Sequence, residues 1–374
     1  MSNFLSKLFV FITILYFLSF TVAFIPPAHI PYISILQFAY PYLFILWLIV
    51  ALITFRIWTT NTFTIVFLLT GIIISYKIPR FYQLPLNESN CQTSDIKIMS
   101  FNVRDFDLYS WTRDRKVRDK IMDLIAKENP DILCMQDFYH SNSIRYPFKT
   151  LDKILALGYK YSHIHYTHIV NDSNYWGIAT FSKYHVIPVM HHEIDSIRGN
   201  AWILTKIIRS PGDTILIGNL HAASVKFRHH EMLYLESFTD KDKEKKLKQK
   251  KINIQEKVFD ILKKVNRAMY YRQLQIDTFI KTLKRFDLPI IICTDLNDIP
   301  NSYAYEKLTQ YFDDSFLAKG SQMGVTYLGP LPGLRIDYIF YSGHFEPVSF
   351  NTLDVNLSDH RPLIACFKKN YQNK

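Results

Sequence analysis

Between Lys7 and Arg56 the chain contains no Asp, Glu, Lys or Arg, while Phe, Leu and Ile recur throughout. No water-exposed surface tolerates so long an uncharged apolar stretch, so this part of the chain belongs in lipid. The hydrophobic content of 48% over 374 residues is therefore an average of two unlike parts. Three membrane helices fit the apolar part. They run from Leu8 to Ile25, ended by Pro26 and Pro27, from Ile35 to Phe55, with Pro41 inside, and from Trp58 to Tyr76, closed by Lys77 and Arg80. Thr59, Thr60, Asn61 and Thr62 open the third, which leaves two spans as the alternative. A cleaved secretory signal competes for the first span, but Thr21-Val22-Ala23 is a poor cleavage site and more apolar sequence follows it directly. Lys7 and Arg56 favour the cytoplasmic side and send the chain out after an odd number of spans, although Lys77 and Arg80 pull the other way.

Three regions follow: a membrane region over 1–80, a linker over 81–95 that includes the polar run from Asn87 to Asp95, and a folded domain over 96–370. Within the domain, short apolar runs read as strands at Ile96 to Phe101, Ile132 to Met135, Gly177 to Phe181, Trp202 to Ile208, Thr214 to Leu220, Pro289 to Thr294, Ile336 to Tyr341 and Leu363 to Phe367. Helical periodicity fits Lys116 to Glu128 and about Ile252 to Phe286. Ser210-Pro211-Gly212-Asp213 between two adjacent runs reads as a hairpin turn. This is an α/β pattern with antiparallel pairing, most simply two packed sheets with helices outside. Cys134, Cys293 and Cys366 lie in apolar runs, where a small buried thiol is expected, and Cys91 lies in the linker, so no disulfide framework is expected.

The net charge of +11 suits an anionic partner, nucleic acid or an acidic lipid surface. Much of the excess sits in one run, Asp240 to Lys251, which reads as a solvated insertion. His191-His192 and His229-His230 read as surface residues, and Trp111, Arg113 and Arg115 as a surface loop.

Side chains able to hold a divalent cation or a phosphate recur at strand ends, where a rigid scaffold presents them to loops. Asn102 ends IKIMSF, and Gln136-Asp137 follows PDILCM, where a carboxylate suits a hard cation. His221 ends TILIGNL. Asp295, Asn297 and Asp298 follow PIIICT, and residues two apart on extended backbone share a face. Asp337 is an acid inside the apolar run RIDYIF and needs a partner, which Asp359-His360 ahead of the last strand can supply.

The ordered series FNV, QD, NLH, TDLND, RIDY and SDH resembles the motif set of the endonuclease/exonuclease/phosphatase superfamily across nearly all of 96–370. PNSYAYEKL and GVTYLGPLPGLRIDY are similar to its membrane-attached bacterial members, which implies an integral protein of a bacterial inner membrane, and the charge bias at Lys7 and Arg56 predicts a catalytic domain outside the cytoplasm. The resemblance implies a four-layered α/β sandwich of two packed β-sheets flanked by helices, and a Mg²⁺-dependent (Mn²⁺ as an alternative) hydrolase of phosphoesters. By the same resemblance Asn102, Asp137 and Asp359 would hold the metal. Asp295 would orient or deprotonate water, Asn297 would bind a phosphate oxygen, Asp337 would orient His360, and His221 would protonate the leaving oxygen. Asp137 stands where the family carries Glu, and Thr294 where it usually carries Gly. Three functions stay open: a phosphodiesterase or endonuclease acting on nucleic acid, a phospholipid or sphingomyelin phosphodiesterase, and a catalytically weak membrane-tethered scaffold. The expected partners are a phosphate-containing substrate and the lipid bilayer, with no protein partner.

Overall fold

The computed structural model describes residues 2–57, 62–85, 91–144, 148–195, 199–225, 227, 231, 254–329, 331 and 333–370. The basic run 240–251, His229-His230 and the start of the third expected span lie outside them.

Helices α1 (Ser2–Thr21), α2 (Tyr40–Ile57) and α3 (Thr62–Ile74) form an N-terminal apolar module. Two stretches, Lys7–Phe24 and Ile33–Ile53, are long and apolar enough to cross a bilayer. With 13 residues, α3 alone reaches only about 20 Å before a 3₁₀ turn over Ser75–Arg80 continues it. The helices pack through Phe9, Ile12, Tyr16, Tyr40, Trp47, Val50, Ala51 and Ile74. Gly71 lets α3 meet the Trp47 ring, since a Cβ there would lie 1.9 Å from a ring carbon. Many of the remaining Ile, Leu and Phe side chains of this module face outward.

The domain contains two six-stranded sheets among the described residues. One has the order β11 (Phe345–Thr352), β12 (Leu363–Lys369), β1 (Ile96–Asn102), β2 (Ile132–Ser141), β4 (Asn174–Ser182), β3 (Tyr161–Val170). The other has the order β5 (His185–Asp195), β6 (Asn200–Ser210), β7 (Asp213–His221), β8 (Ile290–Asp295), β10 (Asp337–Tyr341), β9 (Asp313–Asp314). Each sheet contains one parallel pair, β1–β2 and β7–β8, flanked by antiparallel strands. Helix α4 (Val117–Glu128) connects the first pair and α6 (Ile254–Leu283) lies between the strands of the second, as parallel neighbours require a crossover.

Strand parity sorts the side chains into layers. Ile96, Ile98, Ile132, Cys134, Ile215, Ile217, Ile291, Cys293 and Ile339 meet between the sheets. Their sequence neighbours Met99, Phe101, Leu133 and Met135 pack under α4 and α5 (Thr150–Ala156). Leu216, Ile290, Ile292, Tyr338 and Phe340 pack under α6 and α7 (Tyr303–Thr309). The result is the expected four layers. All eight expected strands and both expected helices are present, and β6–β7 is the expected hairpin.

Four strands were not expected: β3, β5, β9 and β11. β3 is an edge strand that mixes polar and aromatic residues, and β5 begins the other sheet with an apolar run, Val186 to Met190, that Pro188 interrupts. Gly177 lets β3 close on β4, because a Cβ there would lie 2.0 Å from the His165 carbonyl oxygen.

The cysteine expectation is corrected. Cys91 and Cys366 form a disulfide, with Cα atoms 5.5 Å apart, while Cys134 and Cys293 are buried thiols. The two partners are 275 residues apart in sequence. They meet because the Asp95 backbone continues β1 beside β12, donating its N–H to the Phe367 carbonyl (2.8 Å), and this brings the 3₁₀ turn over Cys91–Thr93 onto the end of that strand.

Candidate active site

The same parity that builds the inter-sheet core aims its last members at one rim. Ile98, Ser100 and Asn102 alternate along β1, and Ile291, Cys293 and Asp295 along β8, so Asn102 and Asp295 end the two inner faces opposite each other. Asn102 Nδ2 donates to Asp295 Oδ2 at 2.8 Å, a hydrogen bond that joins the sheets. The register sets His221 of β7 beside Asp295, and Asp295 beside Asp337 of β10. Ser358, Asp359 and His360 enter from the loop before β12, where Ser358 Oγ donates to the Asn102 carbonyl at 2.8 Å.

The centre is buried and charged. Asp295 is 1% exposed, Asp337 4% and His360 5%. His360 Nδ1 lies 2.9 and 3.1 Å from the Asp337 carboxylate oxygens, and His360 Nε2 lies 3.8 Å from Asp295 Oδ2. Burial pushes the Asp295 carboxyl up to about 6, against the pull of His360 and with the reinforcement of Asp337. Burial works against the His360 imidazolium, yet the carboxylates of Asp337 and Asp295 hold it well above its ordinary value. His221 lies between two acids, with Nε2 3.4 Å from Asp295 Oδ2 and Nδ1 3.4 Å from Asp137 Oδ1.

The remaining expected residues sit around this centre. Asp137 occupies a bulge of β2 with φ +47° and keeps its side chain 41% exposed, so it leaves the strand's alternation and turns to the rim. Its neighbour Gln136 points inward instead, donating to Asn219 Oδ1 at 2.8 Å beneath the site. Asn297, at φ +53°, donates its backbone N–H to Asp295 Oδ1 (3.0 Å) and one amide hydrogen to the Ala222 carbonyl (3.1 Å). Asp359 is reached by the Arg104 guanidinium at 3.4 Å.

Two features had no reading in the sequence. Arg104 stacks on Trp111 at 4.1 Å, which ties the supposed surface loop to the rim through Asp359. Tyr327 packs edge-on against His360 with ring centres 5.4 Å apart. An Arg two residues after a motif Asn and an aromatic just ahead of RIDY were the available signals, but both pairings join segments distant in sequence.

The donor set fits a hard divalent cation. It is dominated by carboxylate and amide oxygens, and two of its carboxylates are buried so close together that one resists ionisation. Among the described residues, the His, Cys, Asp and Glu ligand atoms that converge are those of Asp295, Asp337 and His360, within 4.8 Å of one another.

A two-sheet sandwich with carboxylates, amides and imidazoles gathered at one rim is the frame of a phosphoester hydrolase. The sequence pattern of the Endonuclease/Exonuclease/phosphatase family matches residues 99–360, and the chain belongs to that family, whose members are phosphoester hydrolases. The fold is similar to the human Nocturnin catalytic domain with bound sulfate anion, at 18% identity, TM-score 0.50, and coverage of 76% of this chain and 99% of that one. It is also similar to an endonuclease/exonuclease/phosphatase from Beutenbergia cavernae, at 13% identity, TM-score 0.50, and coverage of 74% and 72%. No curated protein matches the chain.

Proposed function

We propose that this chain is a membrane-anchored hydrolase that breaks a phosphoester by attack of water on phosphorus, with a phosphodiester of nucleic acid as first substrate class. The observation that carries the reading is the buried Asp295–Asp337–His360 cluster, linked to Asn102 and His221 at a single rim. Asp295, ionised at neutral pH yet held near 6, is suited to orient the attacking water and take its proton. Asp337 accepts from His360 Nδ1 and so fixes the ring, directing Nε2 toward Asp295. As an imidazolium, His360 stabilises the negative charge that grows on the phosphoryl oxygens. Asn297 offers its second amide hydrogen to one of those oxygens, and His221 gives a proton to the leaving oxygen. Asn102, Asp137 and Asp359 would hold Mg²⁺, or Mn²⁺ in its place. The cation would supply charge neutralisation for the phosphate and acidify the water.

The structure supports an odd number of membrane crossings. The segment between α1 and α2 touches the catalytic domain through Ala28, Tyr32 and Gln37, and the exit from α3 touches it through Lys77 and Arg80. Both must lie on the domain's side of the bilayer, so α2 and α3 together return the chain to that side and α1 supplies the odd crossing. Three spans with Lys7 inside put the domain outside the cytoplasm, and the Cys91–Cys366 disulfide fits an oxidising compartment.

The net charge of +11 favours nucleic acid. A phospholipid substrate is the second reading, favoured by the short path from the membrane module to the loop after Asp295. The test is Mg²⁺-dependent hydrolysis of bis-p-nitrophenyl phosphate, plasmid DNA and sphingomyelin by the full chain in lipid nanodiscs, beside Asp295→Ala and His360→Ala. We expect turnover that EDTA abolishes and that each substitution lowers by at least about a hundredfold. A folded protein that cleaves none of the three would leave the scaffold reading in possession.

A further inference from the structure

The loop that follows Asp295 is held from the membrane side. Asp298 is 3% exposed and does not face the rim. Its Oδ2 meets Arg272 Nη1 of α6 at 2.6 Å. Its Oδ1 accepts the Ile299 N–H (3.1 Å) and Nε2 of Gln37 (2.9 Å), a residue of the turn leading into α2. Its carbonyl oxygen accepts the Tyr338 hydroxyl (2.8 Å), one residue from Asp337. Three residues on, Asn301 donates to the carbonyls of Ser19 (2.9 Å) and Gln37 (3.2 Å) and accepts from Lys77 Nζ (2.8 Å). Glu306, on the helix that follows, pairs with both Lys77 and Arg80.

A tether needs none of this. Sealing Lys77 at 0% exposure between the rings of Phe20 and Phe24 costs desolvation that only well-placed partners offset. Buried polar pairs of this kind specify one geometry and disfavour a sliding contact. The partners chosen on this part of the domain, Asp298, Asn301 and Glu306, all lie just downstream of Asp295 and Asn297. Among the described residues, the Asp298 carboxylate is fixed by its ion pair with Arg272, by the Ile299 N–H and by Gln37 Nε2, so Gln37 is one of three groups holding it.

We propose that Asp298 is a positioning residue for the reaction and that Gln37 of the membrane module completes its hold, so that docking of the anchor sets the geometry of Asp295 and Asn297. The proposal rests on the hydrolase reading above for its kinetic consequence, and on contacts alone for its structural one.

The experiment uses the full chain in nanodiscs and compares Gln37→Leu with Asn266→Ala, which removes the acceptor for the Tyr32 N–H at the same interface but on α6. Hydrogen–deuterium exchange is followed over 295–301 together with kcat and KM for bis-p-nitrophenyl phosphate. For Gln37→Leu we expect exchange of that segment to accelerate at least about fivefold and kcat to fall about tenfold with KM within a factor of two. Asn266→Ala should change neither. Unchanged exchange in Gln37→Leu overturns the proposal, as does equal damage by Asn266→Ala or faster exchange with an unchanged kcat. A wild-type protein that hydrolyses nothing overturns the hydrolase reading and the kinetic clause with it, and the exchange difference shows which of the two has failed. Asp298→Asn, which keeps the side chain's shape, is the second variant and should reproduce the loss in kcat.

Discussion

Asp295 and His360 carry opposite preferences into one buried space, and their titration has a consequence for stability that does not depend on substrate. Burial raises the Asp295 carboxyl to about 6. An acid with a raised folded pKa adds stability that is fully present below its unfolded value of about 4 and is lost as pH climbs through about 6. His360 acts in the same direction, because its neighbouring carboxylates hold it above its ordinary value and its contribution fades as pH rises through that raised value. Buried His163, lowered to about 4, works in the opposite direction over the same range, so the Asp295 effect is read against Asp295→Asn. Relative to that variant the metal-free wild type should lose roughly 5 °C of melting temperature between pH 5 and pH 7.5. Mg²⁺ should recover more of the loss at pH 7.5, where Asp295 is ionised. Calorimetry in EDTA and in Mg²⁺ reads both, and a wild-type-minus-Asp295→Asn difference that stays constant over this range would contradict a raised, buried carboxyl at this position.

Among the elements, β12 has two duties. Its N-terminal approach delivers Asp359 and His360 to the rim, and its far end carries Cys366 to Cys91 of the segment that follows the N-terminal helices. The bond fastens the domain's last strand to the chain that enters its first, and it closes a span of 275 residues. Cross-linking so distant a pair typically contributes about 2–4 kcal/mol. Cys91→Ser should accordingly lower the melting temperature by roughly 5–10 °C. Activity at low temperature should remain, since Cys366 lies beyond Leu363 and away from the rim. Loss of activity without loss of stability would mean that the bond serves the site and not the fold. Within 81–95, Gln83 pairs with Gln322 and Cys91 is bonded to Cys366 of β12.

For the molecule as a whole, the proposed membrane anchor, docked on the catalytic loop, would make sidedness and activity parts of one arrangement. Protease added to right-side-out bacterial membrane vesicles should digest the catalytic domain, and the same treatment of inverted vesicles should spare it. Protection in right-side-out vesicles and digestion in inverted ones would put the domain in the cytoplasm and oppose the reading of Lys7 as the inside end. Digestion in neither would leave the odd-crossing topology without support.

The sequence by itself determined the apolar segment, the eight core strands and the ordered motif residues, because each depends on local periodicity and on short spacings within one strand or turn. Asn102, His221, Asp295 and Asp337 were legible for that reason, each ending or opening an apolar run. The inward turn of Gln136 against the outward turn of Asp137 was not, since a bulge at φ +47° breaks the alternation that the residue types imply. Edge strand β3 escaped because a half-exposed strand carries polar residues on one face, and edge strand β5 because Pro188 interrupts its apolar run. The disulfide, the Arg104–Trp111–Asp359 chain and the Gln37–Asp298–Arg272 junction were decided only by the tertiary structure. Each joins segments that folding alone brings together, and a pairing across tens or hundreds of residues leaves no spacing in the chain from which to read it.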